Sequence, residues 1–279
     1  TLPAEKETIE AISKLDLLVV VDTHPSEITG YADVVLPDTM FLERHDDFYV
    51  GWGRQGWAAL RQPVVPPPGE QKPAWWIAKQ LGERLGVGQY MPFKDMDEYL
   101  AARCGKSGID YAKLRKDGIL MGEKKPVTVE EGATLVFDTP SKKVEFWSEQ
   151  LAKAGFDPVP KYTAPEKAPD GFFRLITGRA PVHTFSRTQT NLDLRDLMKE
   201  NEVWVNAGTA AKAGLKHGQY VKLKNQDGVL SNRVRVKATQ RIREDCVYMV
   251  YGFGHTNKML KTAYLMGASA SQLNTRYKV

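Results

Sequence analysis

The sequence predicts an α/β domain followed by a smaller all-β domain that forms a β-barrel. Three observations support this fold class. A helical segment, an apolar strand and a polar turn follow one another near the N-terminus, as in doubly wound α/β sheets. A linker rich in proline interrupts the chain at residues 156–171. Short alternating strands with tight turns follow the linker, which is typical of small barrels. The predicted domains are therefore residues 1–155 and 172–279.

The first domain begins with helix-forming residues at positions 5–14. The run Leu-Leu-Val-Val-Val at 17–21 is apolar on both faces, which predicts a fully buried parallel strand ending at Asp22. Ligands of doubly wound sheets bind at the carboxyl ends of strands. A carboxylate at that position can accept hydrogen bonds from both N–H groups of a guanine edge. A solvated aspartate at a strand end is the ordinary alternative.

Further along the chain, helices are predicted at residues 73–85 and 96–103, and a strand at residues 144–147. In the second domain we expect strands at 203–205, 220–224, 231–238 and 246–251. Alternation in the third of these predicts that Val234 and Val236 point inward and that the basic residues between them face solvent.

Residues 175–191 contain the densest group of candidate ligand contacts. An apolar strand ends in Thr177-Gly178-Arg179, and glycine allows a backbone to approach a ligand closely. Arg179 and Arg187 add positive charge suited to a phosphate, among several hydroxyl and amide side chains. The pattern suits a large, polar, anionic cofactor. An ordinary polar loop with a glycine turn has the same composition.

Composition argues against several other classes. The chain has 279 residues, of which 42% are hydrophobic and 26% charged, with a net charge of +5 and a pI near 9.0. The positive charge favours anionic partners, but it is spread along the chain without a Lys/Arg block, so we expect no nucleic-acid partner. No Gly-x-Gly-x-x-Gly follows the strand at 17–21, which argues against a free-standing NAD-dependent dehydrogenase.

Cys104 and Cys246 do not belong to a Cys-x-x-Cys motif, so this chain alone offers no iron–sulfur or structural zinc site. Their spacing does not decide whether they form a disulfide, and we expect two free, buried thiols. No apolar run is long enough to span a bilayer, and no signal-peptide pattern is present. Because both ends of the chain stop within elements, we expect it to be a piece of a larger polypeptide.

Six motifs, in order, connect the sequence to a known enzyme family. They are Val-Val-Asp-Thr at 20–23, the run at 31–44, Pro-Gly-Glu at 68–70, residues 139–146, Leu-Ile-Thr-Gly-Arg at 175–179 with His183, and residues 210–218 with Val221. Over essentially its whole length, the chain resembles the C-terminal part of molybdopterin oxidoreductases of the dimethyl sulfoxide reductase family. The resemblance implies the tail of a Rossmann-like doubly wound domain, followed by a molybdopterin dinucleotide-binding β-barrel of the double-psi type.

The resemblance also implies a molybdenum bis(molybdopterin guanine dinucleotide) cofactor between the two domains. Asp22 would receive the guanine, with Arg44 as the cation beside the nucleotide, and His183 would lie on the pterin. Where the family often has an acid, this chain has Ala74, so one nucleotide contact is in doubt. The full set of expected cofactor-binding residues is Asp22, Thr23, Arg44, Thr177, Gly178, Arg179, His183, Thr184, Ser186, Phe253, His255 and Asn274.

The segment Tyr-Gly-Phe-Gly-His-Thr at 251–256 is most similar to polysulfide and thiosulfate reductase catalytic subunits, where it lines the pterin and the approach to the metal. A simple tight turn is the alternative. The implied function is reduction of a sulfur-chain or oxyanion substrate at molybdenum. Arsenate and tetrathionate reductases of the same family are alternatives, as is a structural homologue in a respiratory complex that has lost its cofactor.

In the family, the protein ligand of the metal and the [4Fe-4S] motif belong to an N-terminal part that this sequence does not contain. We therefore assign no catalytic residue and no metal ligand here. The implied partners are that N-terminal half of the catalytic subunit, an iron–sulfur electron-transfer subunit, a membrane anchor subunit and a small anionic substrate. The implied location is the periplasm or the outer face of the cytoplasmic membrane.

Overall fold

The computed structural model describes residues 4–125 and 134–275. The helices are α1 (Glu5–Ile12), α2 (Ala74–Arg84), α3 (Met96–Lys106), α4 (Tyr111–Asp117), α5 (Glu149–Lys153), α6 (Leu192–Leu197) and α7 (Ala207–Lys212). The strands are β1 (Val19–Asp22), β2 (Val34–Pro37), β3 (Tyr49–Gly51), β4 (Gln55–Ala59), β5 (Ile119–Lys124), β6 (Arg174–Gly178), β7 (Glu202–Asn206), β8 (Tyr220–Val221), β9 (Val234–Thr239) and β10 (Cys246–Val250). The helices predicted at 73–85 and 96–103 are confirmed as α2 and α3.

Two compact units make up the chain. The first combines Thr1–Asp38 with Lys167–Val279, and the second is Thr39–Glu166. The first 38 residues thus group with the C-terminal segment. This grouping by contact differs from the expected domains at 1–155 and 172–279, which stay a prediction.

Strands β1 and β2 pair in parallel, with Val19 opposite Val34 and Asp22 opposite Pro37. Strand β1 therefore ends at Asp22, as predicted. The expectation of a fully buried strand is wrong for this structure, because Val19 and Val21 are each 41% exposed and Val20 alone in β1 is buried. A parallel strand is buried when other elements cover both its faces. Among the described residues, β1 pairs only with β2.

A five-stranded mixed sheet with the order β6-β10-β7-β9-β8 forms the C-terminal part of the first unit. Strand β10 runs parallel to β6 and antiparallel to β7, and β7 runs parallel to β9. Val234 and Val236 of β9 are fully buried, which confirms the predicted inward face. Closure of this sheet into a barrel stays a prediction.

The core of the first unit collects small and branched apolar side chains. Its buried members are Val203, Val205, Ala210, Val234, Val236, Val247, Met249, Ala268, Ala270 and Leu273. Such interiors are close-packed, so the loops attached to these strands start from fixed positions. Asn206, at the end of β7, caps the start of α7, because its side chain accepts hydrogen bonds from the N–H groups of Gly208 and Thr209.

The second unit has an antiparallel sheet, β3-β4-β5, with helices α2 to α5 elsewhere in it. Its buried core consists of Ala58, Leu60, Met96, Leu100, Cys104 and Leu114. The strand predicted at 144–147 is wrong, because these residues are irregular and Phe146 is 84% exposed. Cys104 and Cys246 are both buried and free, which confirms that expectation. Over residues 4–125 and 134–275, none of the helices has the length and apolar character needed to cross a bilayer.

Candidate cofactor site

Strand β6 ends beside β10, so that Thr177 pairs with Met249 and Gly178 with Val250. A Cβ atom on Gly178 would lie 2.8 Å from the hydroxyl oxygen of Tyr248. A side chain at position 178 would therefore have to displace the ring of Tyr248 in the same sheet. The sequence pattern located the glycine, but the ring of Tyr248 is the group that approaches it.

Arg179 is exposed and lies on an aromatic platform. Its Nε donates to the hydroxyl of Tyr251 over 2.9 Å, and its guanidinium carbon lies 4.6 Å from the centre of the Phe185 ring. The Phe185 and Tyr251 rings stack with their centres 5.0 Å apart. A guanidinium carries five N–H donors, so this arrangement orients the group and leaves donors facing solvent that can bind an anion.

His183 is buried, and both of its ring nitrogens bond within the protein. Nε2 lies 2.8 Å from the carbonyl oxygen of Met198, and Nδ1 lies 3.1 Å from the hydroxyl of Thr188. Because a carbonyl only accepts, Nε2 carries a proton and donates. The N–H of Thr184 donates to the same Thr188 hydroxyl, so this set of bonds holds the 183–188 turn. The expected contact of His183 with the pterin stays a prediction.

The loop after β10 packs backbone to backbone against two other segments. Gly252 has φ +95°, and a Cβ there would lie 2.2 Å from the carbonyl oxygen of Phe185. Gly254 has φ +81°, and a Cβ there would lie 2.3 Å from the nitrogen of Ser269. Between them Phe253 is buried and meets the His183 ring edge to face at 5.4 Å. The two predicted loops, 177–186 and 252–255, are thus brought together.

Glu27 is a site residue that sequence reasoning missed. Its Oε2 lies 3.0 Å from Nδ1 of His255, and its Oε1 accepts hydrogen bonds from the N–H and hydroxyl of Thr256 and from the N–H of Asn257. Asn257 returns a bond from its side-chain amide to the carbonyl of Ser26 over 2.8 Å. The segment after β1 is therefore joined to the loop after β10.

These segments and α1 surround a cavity of about 320 Å³. Three of the predicted residues, Ser186, Phe253 and His255, lie in its wall. The other lining residues are Glu5, Thr8, Ile9, Ile12, Ser26, Glu27, Ile28, Tyr31, Gly252, Gly254, Ser269 and Ser271. Helix α1 contributes two isoleucines, Glu5 and Thr8 to the wall, and the other segments contribute mainly serine hydroxyl groups and glycine backbone.

The remaining predicted residues lie outside this wall. Asp22 accepts a hydrogen bond from the N–H of Thr23 over 2.8 Å, and Thr23 bonds to His24 through its hydroxyl. The carbonyl of Asn274 accepts from the N–H of Ala4 over 2.9 Å. Arg44 belongs to the second unit, where its Nε lies 2.8 Å from Oδ1 of Asp46. The cofactor roles of these residues stay predictions.

Comparison with known proteins decides the family. A model of the molydopterin dinucleotide binding domain matches residues 173–276, and a model of molybdopterin oxidoreductase matches residues 1–84. The thiosulfate reductase molybdopterin-containing subunit of Salmonella typhimurium is 32% identical over 91% of the chain and 36% of that protein. This chain belongs to the molybdopterin oxidoreductases.

Other relatives of this molybdopterin oxidoreductase have different names. The assimilatory nitrate reductase catalytic subunit of Bacillus subtilis is 28% identical over 86% of the chain and 34% of that protein. The solved structure of acetylene hydratase from Pelobacter acetylenicus matches with a TM-score of 0.75 and 22% sequence identity. The match covers 98% of the chain and 38% of the acetylene hydratase chain. This last likeness shows the fold. The chain spans about a third of the length of the curated relatives it matches.

The family match confirms the expected cofactor class, a molybdenum bis(molybdopterin guanine dinucleotide). The residues present suit its neutral heterocyclic parts, because the hydroxyl of Ser26 in the cavity wall is buried and finds no hydrogen-bond partner within residues 4–125 and 134–275. A ligand with polar edges satisfies such a group. The lining residues include no Lys or Arg, so the exposed guanidinium of Arg179 is better placed for a phosphate. Nowhere in the described residues do three or more His, Cys, Asp or Glu side chains group as a metal site.

Glu27 gives this site a testable dependence on pH. Burial alone would raise the pKa of its carboxyl, but the hydrogen bonds from His255 and Thr256 outweigh burial and hold the pKa below its ordinary 4.5. Because the pKa of Glu27 is lower in the folded than in the unfolded protein, its ionised carboxylate stabilises the fold at pH values above the unfolded-state pKa. This stabilisation is lost as the pH falls through the folded-state pKa. The difference in free energy of unfolding between the wild type and Glu27→Gln is therefore expected to shrink from about pH 6 to about pH 3. Urea titrations across that range measure the difference, and a constant value would contradict the prediction.

Proposed function

We propose that this chain is the C-terminal portion of the catalytic subunit of a molybdenum oxidoreductase that reduces a sulfur-chain or oxyanion substrate of the polysulfide or thiosulfate type. The observation that carries the proposal is the 32% identity to a thiosulfate reductase subunit over 91% of the chain. Relatives named for other substrates, such as nitrate reductase and acetylene hydratase, are 28% and 27% identical. The segment 251–256, which borders the cavity, is the part whose pattern led to the same substrate class.

The cofactor, when bound, supplies two-electron redox chemistry at its metal, and the protein supplies position and charge. Arg179 holds a guanidinium toward solvent at the end of β6, where it can bind a phosphate. Ser26 and His255 offer polar atoms to a heterocycle in the cavity, while Ile9 and Ile12 of α1 exclude water from one side. The net charge of +5 favours the approach of a small anionic substrate.

The exposed valines of β1 and β2 support a covering partner. Val19, Val21, Val34 and Val35 are between 41% and 44% exposed. A two-stranded parallel pair has little stability in water without elements on its faces. We propose that the N-terminal half of the same catalytic subunit covers it and holds the metal ligand and a [4Fe-4S] cluster. By resemblance, an iron–sulfur subunit and a membrane anchor complete the enzyme at the outer face of the membrane or in the periplasm.

The test is analysis of the purified enzyme that contains this chain. We expect molybdenum by mass spectrometry, and guanine nucleotide released by acid at about two per metal atom, as a bis(dinucleotide) requires. Reduced viologen should be oxidised on addition of thiosulfate or polysulfide. Oxidation with arsenate or tetrathionate alone would replace the substrate assignment. An enzyme without molybdenum, tungsten or guanine nucleotide would favour the cofactor-less structural homologue.

A further inference from the structure

The pair formed by Glu27 and His255 joins residues 228 positions apart in the chain. The His255 side chain is only 7% exposed and that of Glu27 is 33% exposed. The carboxylate accepts four hydrogen bonds in all: one at Oε2 from His255, and three at Oε1 from Thr256 and Asn257. These four donors hold the carboxylate in one orientation, in which both of its oxygen atoms act as hydrogen-bond acceptors.

The proton on the imidazole can therefore be located. An ionised carboxylate cannot donate, so the hydrogen atom between Glu27 and His255 belongs to Nδ1. In the neutral ring Nε2 is then the atom with the lone pair. His183 has the opposite arrangement, because its Nε2 donates to the carbonyl of Met198.

Nε2 of His255 has no hydrogen-bond partner among the residues that the structure describes, and His255 lines the 320 Å³ cavity. The other titratable groups on this wall are Glu5 from α1 and Tyr31 from the segment after β1. The carboxylate of Glu5 accepts from the hydroxyl of Ser269 over 3.2 Å and makes no hydrogen bond with His255. A second carboxylate in the same cavity thus serves as a control.

We propose that Glu27 is a positioning residue that fixes His255 in the Nδ1–H tautomer and thereby presents Nε2 to the cavity as a hydrogen-bond acceptor for a ligand N–H group. The ligand chemistry that matches is the N–H edge of an aminopyrimidine ring, which pterin and guanine share. The identity of that ligand as the molybdenum cofactor rests on the proposed function. The tautomer does not, because it follows from the bonds of Glu27 alone.

Glu27→Gln tests this role with little change in shape. The amide oxygen of glutamine can keep the bonds from Thr256 and Asn257, which turns its NH₂ group toward His255. Nδ1 must then accept, and the ring proton moves to Nε2. The variant therefore converts the atom facing the cavity from an acceptor to a donor. Glu5→Gln removes the same charge from the same cavity and leaves the His255 tautomer unchanged.

The measurement is solid-state ¹⁵N NMR of the whole enzyme labelled at histidine, with His255→Asn used to assign the signals. At a pH where the ring is neutral, we expect Nε2 of His255 to be unprotonated in the wild type and in Glu5→Gln, and protonated in Glu27→Gln. A protonated Nε2 in the wild type would overturn the proposal. So would a Glu27→Gln spectrum identical to that of the wild type, because Glu27 would then have a structural role only.

Cofactor retention supplies a second result. Guanine nucleotide bound after gel filtration should fall roughly 10- to 100-fold in Glu27→Gln, as expected when a buried hydrogen bond is lost. It should stay at the wild-type level in Glu10→Gln, whose exposed carboxylate pairs with Lys6 on α1 and is not part of the cavity wall. A switched tautomer with unchanged retention would overturn the role toward the cofactor. Wild-type enzyme without nucleotide would instead overturn the proposed function, and the NMR result would then decide the role of Glu27 by itself.

Discussion

Gly252→Ala is expected to destabilise the first unit by roughly 3–5 kcal/mol. Two costs combine at this position. At φ +95° an alanine is strained, and its Cβ would lie 2.2 Å from the carbonyl oxygen of Phe185. A backbone atom cannot rotate away as the end of a side chain can, so loops 183–186 and 252–255 have to separate. The temperature of thermal unfolding and the amount of cofactor retained should both fall.

Gly214→Ala is the matched control for Gly252→Ala. Gly214 lies in the same unit at φ +66°, and apart from its chain neighbours no heavy atom of the described residues lies within 4 Å of the position that its Cβ would take. Its substitution carries the left-handed strain alone, which costs about 1 kcal/mol. Chemical denaturation of the two variants separates the contact from the strain. Equal losses of stability would mean that the contact of residue 252 with Phe185 has no energetic weight.

Asn201→Ala is the second substitution expected to have a large effect. Asn201 is fully buried, and its side-chain amide donates to the carbonyls of Val250 and Ala268 over 2.6 Å and 2.9 Å. Its oxygen accepts from the N–H of Ala268 over 2.9 Å. Alanine removes all three of these hydrogen bonds in the interior, and the expected loss is roughly 3–5 kcal/mol.

The consequence of Asn201→Ala for the site follows from the position of Val250 at the end of β10. Hydrogen exchange should speed up at residues 250–255 and 267–269, where the lost bonds are. Asn191→Ala is the control, because Asn191 caps the exposed start of α6 through a bond to the N–H of Leu194 and should cost about 1 kcal/mol. If Asn201→Ala lost no more stability than Asn191→Ala, the expected contribution of the buried hydrogen bonds would be contradicted.

The elements that the sequence predicted correctly are those with a local signal. Helix α2 follows a proline, and β9 alternates valines with basic residues, so both were found within a few positions. The strand expected at 144–147 has the same kind of alternation and is irregular in the structure. Local pattern states which backbone a segment can adopt, while the neighbours that stabilise a strand come from distant parts of the chain.

The candidate site divides in the same way. Gly252 and His255 drew notice because the segment 251–256 resembles polysulfide and thiosulfate reductase catalytic subunits. Glu27 gave no signal, because one acid in a polar loop has no pattern and its four donors come from residues 255–257. Gly178 was found for a different reason from the one observed, since the group that approaches it is Tyr248. Contacts between loops far apart in sequence need the fold before they can be seen.

The first unit takes residues from both ends of the chain, with the second unit between them in sequence. During synthesis on the ribosome, Glu27 therefore emerges more than two hundred residues before the partners that it binds. Residues 39–166 can fold in that interval, before the partners of Glu27 have been synthesised. Long delays of this kind favour aggregation and recruit chaperones. Assembly of this site, and loading of any ligand into it, is thus a late event that requires residues 255–257 to have been synthesised.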